Sequence, residues 1–215
     1  MYKPDYAAVI FDLDGVLTDT AHYHYLAWKR LADTLEIAFD QAANEHLKGI
    51  DRMGSLDLIL GPAGQKYTPA QKMALADEKN LHYQHLISSM TPADLLPGAL
   101  DALHSVKAAG LKLGLASVSK NALTVVERLG IRALFDDIVD AATIAKSKPD
   151  PEIFLAAAHH VMVEPSRCLG VEDSIAGIRS IKSAGMTALG IGDPAILTEA
   201  DRVIAGLYLF SLADY

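Results

Sequence analysis

The stretch Ala7-Ala8-Val9-Ile10-Phe11-Asp12-Leu13-Asp14-Gly15 constrains this chain more than any other. Five apolar residues in a row suit a fully buried strand. Two carboxylates follow at once, and the glycine ends the strand. Positions i and i+2 of an extended chain point to the same side, so Asp12 and Asp14 converge on one point just past it. In an open α/β sheet that carboxyl end is where ligands bind. Two close carboxylates repel unless a cation joins them, and the hard-oxygen ion that suits them beside phosphate chemistry is Mg²⁺. The plainer reading is a strand ending in a solvated acidic turn. This stretch by itself leaves both readings open.

Beyond residue 16 the pattern turns helical. Tyr25, Trp28, Leu31, Ala32 and Leu35 recur at helical spacing over 21–35, with Thr20 or Asp19 placed to cap the helix. Trp28 is expected to pack in a small helical core. Further helices are predicted over 40–47, 55–60 and 68–88, the last opened by Thr68-Pro69, an N-cap followed by proline at the first helical position. No second strand is predicted before residue 110, so 16–92 reads as a helical insertion, a cap, bounded by Thr91-Pro92.

From there strands and helices alternate. A helix runs from Pro97-Gly98 to Lys107 and ends at Gly110. Strands are predicted over 111–117, at Ile138-Val139, over 167–172, over 186–191 and over 202–204. Helices are predicted over 120–129, from Asp150-Pro151 to Val161, and over 174–184. Such alternation implies right-handed crossovers and an α/β fold: a Rossmann-like, doubly wound parallel sheet, here formed by 1–15 and 93–215. The apolar tail from Leu207 to Tyr215 is expected to pack on it.

Composition narrows what such a fold can do. Hydrophobic residues make up 51% of the 215, enough for a sizeable core. Nineteen basic against 27 acidic residues give a net charge of −8, which argues against nucleic acid or an anionic membrane surface as partner. Phosphorylated small molecules remain open, because a few local cations bind them. Cys168 is the only cysteine, so no intrachain disulfide forms, and it reads as a small buried hydrophobe. With no signal peptide and no apolar run of membrane-spanning length, a soluble cytoplasmic monomer is expected.

Parallel strands bring four polar strand ends to one edge of the sheet. They are Asp12 and Asp14; Ser117-Val118-Ser119-Lys120-Asn121; Lys146-Ser147-Lys148-Pro149-Asp150-Pro151; and Glu172-Asp173-Ser174. Each has a plain alternative: Ser117 as a helix cap, Lys148 as a surface charge, Glu172-Asp173 as acidic residues favouring a helix N-terminus. Their order and their common edge favour a site.

With these motifs the chain resembles the haloacid dehalogenase-like superfamily of phosphotransferases over nearly its whole length. A helical cap just after the first strand resembles the β-phosphoglucomutase-like branch. The further residues that carry this are Val16-Leu17-Thr18-Asp19-Thr20-Ala21 with His24, Leu47-Lys48-Gly49-Ile50-Asp51-Arg52, Lys79-Asn80, and Pro149-Asp150-Pro151-Glu152-Ile153-Phe154.

The resemblance implies that Asp12 is the nucleophile and forms an aspartyl-phosphate, with Asp14 as general acid and base. Ser117 would bind the phosphoryl oxygens, and Lys148 would neutralise charge on the transferring group. Asp12, the Asp14 carbonyl, Glu172 and Asp173 would hold Mg²⁺. Arg52, Ser119, Lys120 and Asn121 would grip the phosphate that is not transferred, and Gly49 would let backbone approach the sugar. His24 and Lys79 would couple cap closure to placement of Asp14, with Thr20 at the hinge and Trp28 and Val118 among the substrate-binding residues. The plain alternatives are a helix-surface histidine for His24 and a solvated loop charge for Arg52. The implied activity is interconversion of a sugar 1-phosphate and its 6-phosphate. A sugar-phosphate phosphatase shares the sheet motifs, and a non-enzymatic binding protein would have no need of the nucleophile. Val118 and Ile175 depart from the branch pattern, where a smaller and a polar residue are common.

Overall fold

The structure, a computed structural model, describes residues 6–47 and 49–214. The first five residues, Lys48 of the Leu47-Lys48-Gly49 motif, and Tyr215 of the tail lie outside the described residues. In chain order the elements are β1 (Ala8–Phe11), α1 (Ala21–Thr34), α2 (Gln41–Glu45), α3 (Arg52–Leu60), α4 (Pro69–Ile87), α5 (Ala99–Ala108), β2 (Lys112–Leu115), α6 (Ala122–Arg128), β3 (Asp137–Ile138), α7 (Glu152–His160), β4 (Cys168–Glu172), α8 (Ile175–Ser183), β5 (Thr187–Ile191) and β6 (Arg202–Ile204).

The chain divides into two compact units, one of residues up to Asp19 and from Met90 onward, the other Thr20–Ser89. Residues 16–19 and 90–92, which the sequence pattern assigned to the cap, lie with the sheet unit instead. Hydrogen bonds explain this. Thr18 Oγ1 donates to the Asp94 carbonyl at 2.7 Å, Leu96 N to the Leu17 carbonyl at 2.9 Å, and Gly15 N to the Thr18 carbonyl at 2.8 Å.

In the sheet unit six parallel strands run in the order β3-β2-β1-β4-β5-β6. β1 lies between β2 and β4, with Ala8 opposite both Lys112 and Cys168, which is why an unbroken apolar run suits it. Ala8 and Ile10 pack with Ile153, Phe154 and Val161 of the α7 segment and with Ile178 and Ile181 of α8. Phe11 points to the opposite face by the two-residue pleat, and its ring centroid is 6.3 Å from that of Phe210. The tail therefore packs on the sheet as expected at Leu207 and Phe210, while Tyr208 and Leu209 are exposed. Cys168 is buried, and burial pushes its thiol up to about 11.

In the helical unit Trp28, Leu31 and Ala32 of α1 form a core with Leu56, Ile59 and Leu60 of α3 and Ala76 of α4. Caps set the helix starts. Thr68 and Gln71 form a capping box at α4, as the sequence pattern predicts. α3 begins at Arg52 rather than 55, because the Asp51 carboxylate accepts from Met53 N at 2.8 Å and Gly54 N at 3.0 Å. α2 is shorter than 40–47, with Asp40 accepting from Ala43 N. Of the two caps open for α1, Thr20 or Asp19, Thr20 takes the N-cap position but makes no side-chain cap bond, and its buried hydroxyl has no hydrogen-bond partner among the described residues. No helix among the described residues is long and apolar enough to cross a membrane.

Candidate active site

The register of β1 against β4 assembles the centre of the sheet edge. Phe11 pairs with Val171, and Asp12 N donates to the Val171 carbonyl, so the side chains just beyond, Asp12 and Glu172, end on neighbouring strands. Lys148 reaches both from the loop before α7. Its Nζ donates to Asp12 Oδ1 and to Glu172 Oε2, each at 2.7 Å, and lies 5.2 Å from the centre of the Phe154 ring. All three side chains are buried. The other Glu172 oxygen, Oε1, accepts from Ser174 Oγ at 2.8 Å, Ser174 N at 3.1 Å and Asp173 N at 3.2 Å. Ser174 Oγ in turn accepts from Gly177 N and caps α8.

Two glycines make room for these carboxylates. A Cβ on Gly177 would lie 2.0 Å from the Glu172 carboxyl carbon. A Cβ on Gly15 would lie 2.1 Å from Asp173 Oδ2, and Gly15 has φ +79°, a conformation L side chains rarely adopt. The Gly15 turn also bends the chain back so that Asp14, partly buried, bridges to Thr18. One oxygen each of Asp12, Glu172 and Asp173 lies within 4.8 Å of the others. An all-oxygen, acidic, largely buried donor set of this kind fits a hard divalent cation.

Burial first, and the Glu172 carboxylate next, push the Asp12 carboxyl up to about 7 against the opposing pull of Lys148. Burial alone would lower the Lys148 ammonium, but Asp12 and Glu172 outweigh it and hold it above its ordinary value. The lysine is therefore a permanent positive charge at the head of β1.

β2 places Ser117 next. Ala116 N donates to the Phe11 carbonyl at 2.8 Å, which keeps that strand end level with Asp12. Ser117 is buried, and its Oγ accepts from Ser119 N at 3.2 Å. Ser119 Oγ accepts from Asn121 N at 3.3 Å, Asn121 is buried and Lys120 is exposed. Val118, half-buried, packs against the core cluster that includes Ala116 and Val139. Ile175 stands 44% exposed just past Asp173-Ser174, leaving an apolar side chain at the edge.

The helical unit gathers a second set. Lys79 Nζ lies 2.8 Å from His24 Nδ1 and sits over the rings of Trp28, at 4.5 Å, and Tyr83, at 4.8 Å. His24 stacks on Tyr83 with ring centroids 4.0 Å apart. Burial, then the charges of Lys79 and Arg52, hold the His24 imidazole well below its usual range. It is therefore neutral and accepts at Nδ1 from the lysine. Trp28 belongs both to the helical core and to this cluster. Arg52, the first residue of α3, approaches Asp77 at 4.0 Å. Gly49 has φ +76°. Tyr83 escaped the sequence pattern, and Phe154 entered it only as a motif member with no role. For Tyr83 the signal was its place four residues after Lys79 on one helix face; for Phe154 it was a slot in the same loop-helix motif as Lys148.

Residues 6–185 match the sequence profile of the haloacid dehalogenase-like hydrolases. The chain is 53% identical over 199 residues to a β-phosphoglucomutase of Bacillus subtilis, which covers 92% of this chain and 88% of that protein. It is 30% identical over 187 residues to a fructose-1-phosphate phosphatase of Escherichia coli, covering 86% of this chain and 96% of that one. The crystal structure of a β-phosphoglucomutase from Clostridium difficile matches with a TM-score of 0.93 at 46% identity, covering 96% of this chain and 93% of that chain.

Proposed function

The chain belongs to the haloacid dehalogenase-like hydrolase family, and from that premise we propose that it is a β-phosphoglucomutase. This isomerase interconverts β-D-glucose 1-phosphate and D-glucose 6-phosphate through β-glucose 1,6-bisphosphate and an aspartyl-phosphate. The observation that carries the reading is 53% identity to a β-phosphoglucomutase across nearly the whole chain, against 30% for a sugar-phosphate phosphatase. The enzyme works as a cytoplasmic monomer on small sugar phosphates.

Asp12 carries the phosphoryl group. The C6 hydroxyl oxygen of β-glucose 1-phosphate attacks the phosphorus, the bond from phosphorus to Asp12 breaks, and Asp14 takes the hydroxyl proton. After the bisphosphate has turned over, Asp12 attacks the C1 phosphate, and Asp14 returns its proton to the departing C1 oxygen. Lys148 and Ser117 hold the phosphoryl oxygens through transfer. Asp12, Glu172, Asp173 and the Asp14 carbonyl are the groups that would hold Mg²⁺, and the cluster of carboxylate oxygens within 4.8 Å supports that choice. When bound, Mg²⁺ offsets the repulsion among these carboxylates and the phosphoryl oxygens. Arg52 takes the phosphate that is not transferred, with Ser119, Lys120 and Asn121. Thr20, His24, Trp28, Gly49, Lys79 and Val118 complete the substrate contacts.

The test is an assay of α- and β-glucose 1-phosphate side by side, with and without β-glucose 1,6-bisphosphate as primer. Formation of glucose 6-phosphate from the β anomer alone, stimulated by primer, is the expected result. Release of inorganic phosphate that outruns isomerisation would replace the mutase reading by the phosphatase one.

A further inference from the structure

The loop over 139–151 that joins β3 to α7 delivers Lys148 but contains no regular element beyond one 3₁₀ turn at Ala141–Thr143. An ammonium that must sit 2.7 Å from two separate carboxylates needs a fixed backbone. The structure shows what fixes it. Glu152, the first residue of α7, turns its carboxylate back along the loop: Oε1 accepts from Ala145 N at 2.8 Å and Oε2 from Lys146 N at 2.9 Å. Glu152 N donates to Asp150 Oδ1 at 3.1 Å, and Asp150 N to the Ser147 carbonyl at 3.0 Å. The Asp150 carbonyl accepts from Oγ of Ser180, a fully buried residue of α8, at 2.7 Å. The backbone is thus held two residues before Lys148 and two residues after it.

We propose that Glu152 is a positioning residue for Lys148, a two-oxygen clip on the backbone of Ala145 and Lys146, with Ser180 as the anchor on the far side. The hydrogen bonds of Glu152 run to Ala145, Lys146 and Asp150 and not to Asp12 or Glu172, so it acts through the loop and takes no part in the chemistry. The clip needs two acceptors. Glutamine keeps one and turns an NH₂ group toward the second backbone N–H, and alanine keeps neither. The inference rests on the mutase reading for its sugar assay only, because Lys148 would serve hydrolysis of acetyl phosphate through Asp12 as well.

The experiment compares wild type, Glu152→Gln, Glu152→Ala and Ser180→Ala on β-glucose 1-phosphate and on acetyl phosphate, well below each protein's unfolding transition as followed by circular dichroism. A loosened Lys148 lowers kcat on both substrates in parallel, by about tenfold for Glu152→Gln and about a hundredfold for Glu152→Ala, with KM for β-glucose 1-phosphate within about twofold of wild type. Ser180→Ala, which removes one neutral hydrogen bond, lowers kcat about fivefold. Wild-type kcat in folded Glu152→Ala overturns the proposal. So does a rise in KM alone, or a loss confined to the sugar. If Glu152→Ala does not fold, Glu152→Gln and Ser180→Ala decide by the same criteria. A wild-type enzyme that hydrolyses acetyl phosphate but does not isomerise β-glucose 1-phosphate overturns the mutase reading, and the clip is then decided on hydrolysis.

Discussion

Among the described residues each unit buries one lysine, and the two are compensated in different ways. In the sheet unit Lys148 is ion-paired with Asp12 and Glu172. In the helical unit Lys79 is bonded to the neutral imidazole of His24 and sits over two aromatic rings. Both arrangements offset desolvation of the ammonium, but they leave different things behind. The first fixes a positive charge beside Asp12, the proposed nucleophile, where negative charge would gather during phosphoryl transfer. The second spends the ammonium on holding an imidazole and two rings in register, and so builds a shape. Opposite charges make the sheet site, and cation–ring packing makes the helical one.

Four outcomes break or sharpen that contrast. The largest belongs to the sheet unit. Asp12→Asn keeps the shape of the side chain and removes the attacking oxyanion, so turnover falls on the order of 10⁴-fold or more. Substantial turnover by the pure variant, freshly prepared, would remove Asp12 as nucleophile.

The lysines themselves come next. Lys148→Met leaves two buried carboxylates without their common cation and costs about 3–5 kcal/mol of folding stability. Lys79→Met keeps an apolar chain over Trp28 and Tyr83 and deprives a neutral His24 of one hydrogen bond, a cost of about 1–2 kcal/mol. Urea titrations measure both. Equal losses would mean that the two lysines are compensated alike, against the contrast drawn above.

Arg52→Ala separates the units by substrate. Losing a charge-assisted bidentate contact costs about 1.5–3 kcal/mol, or roughly tenfold to a hundredfold in kcat/KM for β-glucose 1-phosphate and for the bisphosphate. Hydrolysis of acetyl phosphate, which has no second phosphate, stays near wild type. A parallel loss on all three substrates would assign Arg52 to the fold and not to the distal phosphate.

The smallest effect is on pH dependence. His24 is held below the ordinary imidazole value of 6.5, so the unfolded chain takes up a proton there that the folded unit refuses. Stability therefore falls as pH drops below about 6.5 and is insensitive to this group above it, with a slope of at most about 1.4 kcal/mol per pH unit. His24→Asn should flatten that part of the profile, and the difference between the two proteins isolates His24 from other titrating groups. Superimposable slopes would mean that His24 is protonated in the folded state.

Much of the sheet unit was legible because its signals are local. The apolar run at β1, the carboxylates two residues apart and the glycine that must follow them lie within one short stretch, and a two-residue pleat turns that order directly into geometry. The Thr68-Pro69 helix start was legible for the same reason. The cap boundary was not. Val16 and Leu17 are apolar and would suit the core of either unit, so the place of 16–19 is decided by bonds to residues 94 and 96, far along the chain. Nor was the α3 start, where Asp51 is a cap only because the chain is extended at that point.

The sequence by itself determined the order of strands and helices, the two carboxylates at the end of β1 and the four polar strand ends, because each depends on neighbours a few residues away. Tertiary structure decided which of those groups meet. Lys148 and Asp12 are 136 residues apart, and Lys79 and His24 are 55 apart. No periodicity encodes such distances. They follow from α7, with the loop before it, packing on β1 and from α1 packing on α4, since buried charge and buried apolar surface each have to find a partner from elsewhere in the chain.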